Sequence, residues 1–259
     1  RVVPRDLVVG ARDFRHELLG SKRPDPVPVN ICGTDLIRGA DGAFHVLEDN
    51  CRTPSGVSYV LQNRILQMRT FPNLFRENAV LPVDHYPQAL MRTLLRIAPP
   101  GVEDPVIVVL TPGRYNSAYF EHTFLAMQMG VHLVEGHDLF VDDNKVYMKT
   151  TGGPQRVHVV YRRIDDDFID PLVFRPDSML GVPGIVNAYR ARNVSLANGL
   201  GTGVADDKAI YPYVPRMIRY YLDQDPILPN VETHLATDEL EYIERHAHEL
   251  VLKATNESG

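Results

Sequence analysis

The sequence predicts a mixed α/β fold, and three observations carry that prediction. Residues 106–110 are a continuous apolar run rich in β-branched side chains, as a buried parallel strand requires. Thr111-Pro112-Gly113 breaks it, a helical pattern with Phe120, Phe124, Leu125 and Met127 follows, and Gly130 leads into a second run at 131–134. Strand, helix and strand in that order make a βαβ unit. Finally, Asp41-Gly42 and Asp142-Asp143-Asn144 each separate two partly apolar runs, which is the signature of a β-hairpin.

Residues 1–26, rich in Arg, Asp and Pro, read as an irregular lead-in with one short helix around 12–19. The first hairpin follows. With a two-residue turn at Asp41-Gly42, Ala40 faces Ala43, and the same register sets Asp35 opposite Glu48. Side chains alternate along a strand, so Asn50 shares the face of Glu48. Like charges opposed across strands are destabilising, and a cation would relieve them. Two carboxylates and an amide oxygen suit Mg²⁺, which keeps several waters and contacts substrate phosphates. The other reading is a hairpin with its acids in water, and a longer turn would shift the register and break the triad.

Cys32 and Cys51 face each other on the opposite side of this hairpin. A cross-strand disulfide fits that geometry. With no secretory signal visible, two reduced thiols and a cytoplasmic setting are expected, and without a CxxC spacing zinc is not.

Ser55 is read as the N-cap of a helix bearing Val57, Tyr59, Val60, Leu61, Ile65 and Met68. The N–H groups at that helix start favour an anion near Asn50. Residues 69–104 are helix and loop, with a break at 82–85, a second helix at 90–97 and a boundary at Pro99-Pro100-Gly101. The loop at 113–117 lies at a strand's carboxyl end, where open α/β sheets bind ligands, but it has no GxGxxG for a dinucleotide.

A strand at 157–161 ends in Arg162-Arg163-Ile164-Asp165-Asp166-Asp167. Arg suits bidentate contact with phosphate or carboxylate, which makes Arg163 a candidate substrate residue; a salt-bridged loop is the alternative. Residues 170–190 are mostly loop leading into a short helix, and 193–198 a short strand. Gly199, Gly201 and Gly203 then precede Asp206-Asp207-Lys208, read as opening a helix through Leu222. Such a turn cradles phosphate through backbone N–H groups, although the GK[ST] of a P-loop is missing. The last helix is placed from Asp238, with Glu241 in a capping-box variant and Leu240, Ile243 and Ala247 as its stripe. Residues 249–253 read as a strand ending in Lys253. A Lys buried there needs an anion, and a nucleotide phosphate would supply one; an exposed edge Lys is the alternative.

Composition narrows the classes. The net charge of −6 gives no electrostatic footprint for nucleic acid or an anionic membrane. No run approaches the length of a transmembrane helix. The 259 residues suffice for two modest domains or one large one, and 44% hydrophobic with 23% charged residues indicates a folded core.

Residues 33–59, LTPGRYNSAYFEH, VYRRIDDDFIDPLVFRPDS, LGVPG, NVSLANGLGTGVADDKAIYPYVP, ILPNV and ELVLKATNESG together resemble one family. It is the type 2 circularly permuted ATP-grasp family, a glutathionylspermidine-synthase-like group. The likeness covers nearly all of residues 30–259, with residues 1–29 matching less clearly. It implies an ATP-grasp fold with a Rossmann-like βαβ region, divided into a metal-binding hairpin with helices over 1–100, α/β over 101–190, and a nucleotide-binding part over 191–259. The family continues beyond the glycine-rich loop, so the carboxyl-terminal part of the fold is expected to be absent from this chain.

The resemblance also implies an enzyme: an ATP- and Mg²⁺-dependent carboxylate–amine ligase acting through an acylphosphate on a small-molecule or peptide acid and an amine. A non-catalytic nucleotide-binding scaffold is the alternative. By resemblance Glu48 and Asn50 are the E-x-N metal ligands, Asp35 supports the metal, and Glu257 adds a further ligand and touches the nucleotide. Lys253 and Lys208 contact ATP phosphates, and Ser55 lies where peptide substrate binds; Arg52, beside the metal pair, is expected to stabilise the transferred phosphoryl group. Permutation explains why the metal pair precedes Lys253.

Overall fold

Apolar runs and the helices between them build the mixed α/β architecture the sequence predicts. The computed structural model describes residues 2–256. In chain order these form α1 (Arg5–Val9), β1 (Gly33–Arg38), β2 (Phe44–Asn50), α2 (Val57–Thr70), α3 (Pro72–Glu77), α4 (Tyr86–Arg96), β3 (Ile107–Leu110), α5 (Tyr119–Met129) and β4 (His132–Val134). Then come β5 (Leu139–Asp142), β6 (Lys145–Thr150), β7 (Gly153–Val157), β8 (Val159–Arg162), α6 (Asp166–Ile169), α7 (Ile185–Arg190), β9 (Ser195–Ala197), α8 (Val214–Leu222) and α9 (Ala236–His246). The chain divides into two interleaved units, one of residues 1–16, 31–52 and 200–259, the other of 17–30 and 53–199. Residues 53–100, grouped with the hairpin in the sequence reading, thus cluster with 101–199.

The second unit holds a parallel sheet in the order β4-β3-β8-β9. Val108, Val109 and Leu110 of β3 and Val159 and Val160 of β8 are completely buried. Each such side chain stabilises the fold by about 1.5–3 kcal/mol. Leu90 and Leu94 of α4 and Leu125 of α5 supply the helical side of this core. The predicted βαβ unit is β3-α5-β4, and α5 stops at Gly130, whose φ of +71° lets its N–H reach back to Ala126 and Met127. The predicted hairpin after residue 139 forms between β5 and β6, where Asp143 and Asn144 both take positive φ, and β7 adds a third strand. The run predicted as one strand at 157–161 is divided between β7 and β8, with His158 at the join accepting a hydrogen bond on Nδ1 from the Val106 N–H at 3.0 Å.

Charge holds the loops of this unit. Arg162, fully buried, lies 2.8 Å from Asp166 and donates to the carbonyls of Asn198, Ile164 and Gly199. Asp170 accepts from the N–H groups of Leu172, Gly184 and Val186 and so starts α7. On α2, Leu61 is buried while Tyr59, Val60, Ile65 and Met68 stay exposed, because the apolar residues spread around the axis instead of forming one stripe.

The first unit departs further from the sequence reading. The helix placed around 12–19 is a short α1 at Arg5–Val9 and a 3₁₀ turn at His16–Leu18. The helix placed over 206–222 is broken into 3₁₀ turns at Thr202–Asp206 and Tyr211–Tyr213 followed by α8, since Pro212 and Pro215 remove the donors a continuous helix needs. Lys208 therefore lies in a turn. The last helix begins at Ala236 behind Leu235, and non-helical Glu239 interrupts it, so the capping box expected at Asp238 does not form. Residues 250–254 run as irregular chain, not as the predicted strand, with no ladder partner among the described residues.

Candidate functional site

The hairpin of the first unit reaches the predicted pairing by a different route. Gly42 N–H donates to Gly39 O at 2.9 Å and Gly39 N–H to Ala43 O at 2.8 Å, which closes a three-residue loop. The positive φ of Gly42, +81°, is what such a loop requires at its last position. The turn is one residue longer than the sequence suggested, and pairing starts in the shifted register, Arg38 with Phe44 and Leu36 with Val46. A β-bulge at Leu47 then inserts one residue into β2 and cancels the shift, so that Asp35 faces Glu48 and Gly33 faces Asn50. Tyr211 pins the bulge: its hydroxyl donates to the Val46 carbonyl and accepts from the Val231 N–H at 3.0 Å.

Asp35 and Asn50 are joined, the Asn50 amide donating to Asp35 Oδ2 at 3.2 Å. Glu48 Oε2 lies 3.5 Å from Lys208 Nζ, both side chains only partly exposed. The Lys208 N–H donates to Thr255 O at 2.8 Å, which brings residues 250–255 beside it. Glu48, Lys208 and Lys253 consequently line one cavity of about 610 Å³, walled on the apolar side by Leu235, Ala236 and Ile243. Two ammonium groups beside a carboxylate and an apolar wall suit a ligand with a polyanionic end and a flat apolar end.

Among the described residues no three His, Cys, Asp or Glu side chains gather as a metal centre. Glu257, the further ligand that the resemblance implies, lies outside the described residues. The set on this strand face is two carboxylates and one amide oxygen. Mg²⁺, which takes one or two protein carboxylates and fills its octahedron with water and phosphate, fits so sparse a set.

Two residues that sequence reasoning missed build the end of this hairpin. Asp206 accepts from the N–H of Cys51 at 2.6 Å and from that of Arg52 at 3.3 Å, and burial raises its pKa. Asp13 accepts twice from Arg52 Nη1, at 3.2 and 3.3 Å. An added Cβ at Gly203 would come within 2.8 Å of the Asp13 Cβ, so glycine is required there, and the glycine turn closes against an internal carboxylate. No local pattern announces either acid; both act across more than thirty residues of sequence.

Away from Asp35, Cys32 Sγ and Cys51 Sγ lie 3.7 Å apart, beside Asp49 and Thr34. Hydrogen bonding within the pair pulls the Cys32 thiol below its usual pKa and pushes that of Cys51 above it.

Ser55 and Arg163 belong to the second unit. Ser55 is exposed and is not the cap expected of it: Gly56, at φ +113°, takes the N-cap position without a side-chain cap. The anion at this helix start is internal. Glu121, buried to 1% exposure, accepts from Gly56 N–H at 2.7 Å and Ser58 N–H at 3.1 Å. Arg163 lies 3.4 Å from the other Glu121 oxygen and donates to Pro54 O at 2.7 Å and to the Tyr161 hydroxyl at 3.1 Å. Its guanidinium is thus spent on the 53–56 connection and on Glu121, as in the salt-bridged reading of this cluster. Among the described residues no helix is long and apolar enough to cross a membrane.

A family model described as "A circularly permuted ATPgrasp" matches residues 1–259, including the first 29 that the motifs left unclear. The chain is 56% identical over 260 residues to an uncharacterized protein of Synechocystis sp. (strain ATCC 27184 / PCC 6803 / Kazusa), covering 100% of this chain and 54% of that protein. It is 54% identical over 260 residues to an uncharacterized protein of Mycobacterium tuberculosis (strain ATCC 25618 / H37Rv), covering 100% of this chain and 47% of the relative. It is 41% identical over 264 residues to a Frankia casuarinae protein named "Putative glutamate--cysteine ligase 2-2", covering 100% of this chain and 30% of the relative. The chain spans about half the length of the first two relatives or less.

Proposed function

This chain belongs to the circularly permuted ATP-grasp family, and from that premise we propose that the protein carrying it is an ATP- and Mg²⁺-dependent carboxylate–amine ligase. The observation that supports the reading most is the cavity shared by Glu48, Lys208 and Lys253. The ligase name of the Frankia casuarinae relative supports the same reaction class.

In this reading Lys208 and Lys253 neutralise the nucleotide phosphates, and the apolar wall of Leu235, Ala236 and Ile243 takes the base. Glu48 and Asn50 would hold Mg²⁺ with Asp35 in support, and Glu257 would be a further ligand. The ion, when bound, offsets the charge that develops on phosphate oxygens. Arg52, held by Asp13 and Asp206, stabilises the phosphoryl group in flight. The substrate carboxylate attacks the terminal phosphorus, an acylphosphate forms and ADP leaves. An amine then attacks the acyl carbon, and phosphate leaves as the amide forms. The chain's part is positioning and charge neutralisation. Ser55 and Arg163 are proposed to border the acid substrate through the 53–56 connection, Arg163 by fixing that backbone. A cytoplasmic setting, where ATP is abundant and thiols stay reduced, suits this chemistry.

The test is ADP release by the full natural polypeptide over a panel of amino acids, peptides and polyamines, with hydroxylamine added to trap an acylphosphate. ADP release that needs one acid, and a hydroxamate of that acid, are expected. Tight Mg·ATP binding with no release under any pairing would favour the scaffold reading instead.

A further inference from the structure

We propose that Cys32 and Cys51 form a reversible redox site, in which peroxide or a small-molecule disulfide joins them across the hairpin that carries Asp35, Glu48 and Asn50. The proposal is independent of the ligase reading. The two residues flank the paired ends of β1 and β2: Gly33 faces Asn50, so Cys32 and Cys51 continue the same register by one step. Their sulfurs are 3.7 Å apart. A disulfide needs about 2.05 Å, so side-chain rotation has under roughly 2 Å to close. Directly opposed antiparallel residues have Cα atoms roughly 4.5–5.5 Å apart, inside the range a disulfide spans without backbone strain.

The pair is also asymmetric. Cys32 is exposed and Cys51 is buried at 8% exposure. An oxidant meets Cys32 first, and the Cys51 sulfur, 3.7 Å away, is near enough to resolve the product. With peroxide, the Cys32 thiolate attacks one oxygen; the S–O bond forms, the O–O bond breaks and hydroxide leaves as water. The Cys51 sulfur then attacks the Cys32 sulfur; the S–S bond forms, the S–O bond breaks and a second water leaves. Two thiols lose two electrons and two protons, and peroxide is reduced to two waters. With a small-molecule disulfide, the same two attacks release two small thiols.

The bond would fasten the open ends of the hairpin next to Asn50 while leaving the opposite face, with its carboxylates, untouched. Thr34 and Asp49, whose side chains are hydrogen-bonded at 2.6 Å, already brace the neighbouring rung on the thiol side.

The test treats the folded natural polypeptide with hydrogen peroxide or oxidised glutathione, digests it and maps cysteine-bearing peptides by mass spectrometry. A linked peptide joining residues 32 and 51, two hydrogens lighter than its parts and released by dithiothreitol, is expected. Cys51→Ser should instead accumulate a sulfinic acid or glutathione adduct on Cys32, and Cys32→Ser should leave Cys51 a thiol far longer. The proposal is overturned if the unaltered protein carries an adduct or sulfinic acid on Cys32 with Cys51 still a thiol. It is equally overturned if both thiols persist at oxidant concentrations that modify Cys32 in Cys51→Ser, or if the link forms only after urea denaturation.

Discussion

Ion pairs in the two units, arginine with a carboxylate in one and lysine with a carboxylate in the other, serve different ends. In the second unit Arg162 and Asp166, and Arg163 and Glu121, are almost completely withdrawn from water, and nearly every arm of each arginine is taken by a carboxylate or a carbonyl. In the first unit Glu48 and Lys208 lie 3.5 Å apart on the wall of a cavity and keep contact with solvent. A fully buried pair is costly to break, because removing one partner strands a desolvated charge; a pair on a cavity wall is partly screened by solvent and leaves its charges available to a ligand. Full burial thus separates the arginine pairs that stiffen the second unit from the Glu48–Lys208 pair that faces the cavity of the first.

The largest effect expected from this contrast is in the second unit. Arg162→Met leaves Asp166 buried and three carbonyls without their donor, and should cost about 3–5 kcal/mol in urea unfolding. A loss below about 1 kcal/mol would mean that water reaches this pair.

Next is pH. Burial beside Arg163 lowers the His122 pKa to about 4 from its ordinary 6.5, and its Nδ1 faces the Thr111 hydroxyl at 2.8 Å. The unfolded chain therefore takes the proton first. The contribution is complete above pH 6.5 and drains as pH falls towards 4, amounting to a loss of about 2 kcal/mol by pH 5. Urea unfolding at pH 7 and pH 5 should show this loss, and His122→Gln should remove it. Asp206 works in the opposite sense: burial raises its folded pKa, so protonation as pH falls through that value adds stability in the first unit.

The smallest effect on stability is expected at the open pair. Lys208→Met should cost less in unfolding than Arg162→Met, because Lys208 and Glu48 keep 16% and 22% of their side chains open to solvent where Arg162 and Asp166 keep none, while it weakens Mg·ATP binding measured by calorimetry. A loss as large as that of Arg162→Met would erase the difference between the units.

Much of the second unit was legible in the sequence, because its signals are local. The run at 107–110, the helix ending at Gly130 and the turn at Asp143-Asn144 each carry their own explanation within a few residues. The pairing of Asp35 with Glu48 was legible only in its outcome. A turn one residue longer than predicted and a bulge at Leu47 cancel, and nothing in the local sequence marks the bulge, which Tyr211 fixes from 165 residues away. The anion at the start of α2 was foreseen but not its source, since Glu121 lies 65 residues from Gly56. Asp206 and Asp13 escaped for the same reason: a carboxylate that accepts backbone or guanidinium N–H groups at long range looks like any surface acid in a single sequence. Residues 249–253 misled in the other direction, because an apolar run ending in Lys reads as a strand whether or not another strand stands ready to pair with it.

The most direct measurement is Mg·ATP affinity of the full natural polypeptide with Glu48→Gln, set against its unfolding midpoint. The account predicts a midpoint almost unchanged and affinity at least about tenfold weaker, since a carboxylate serving the metal and Lys208 is worth roughly 1.5–3 kcal/mol. Unaltered affinity with the fold intact would contradict it and remove Glu48 from the nucleotide site.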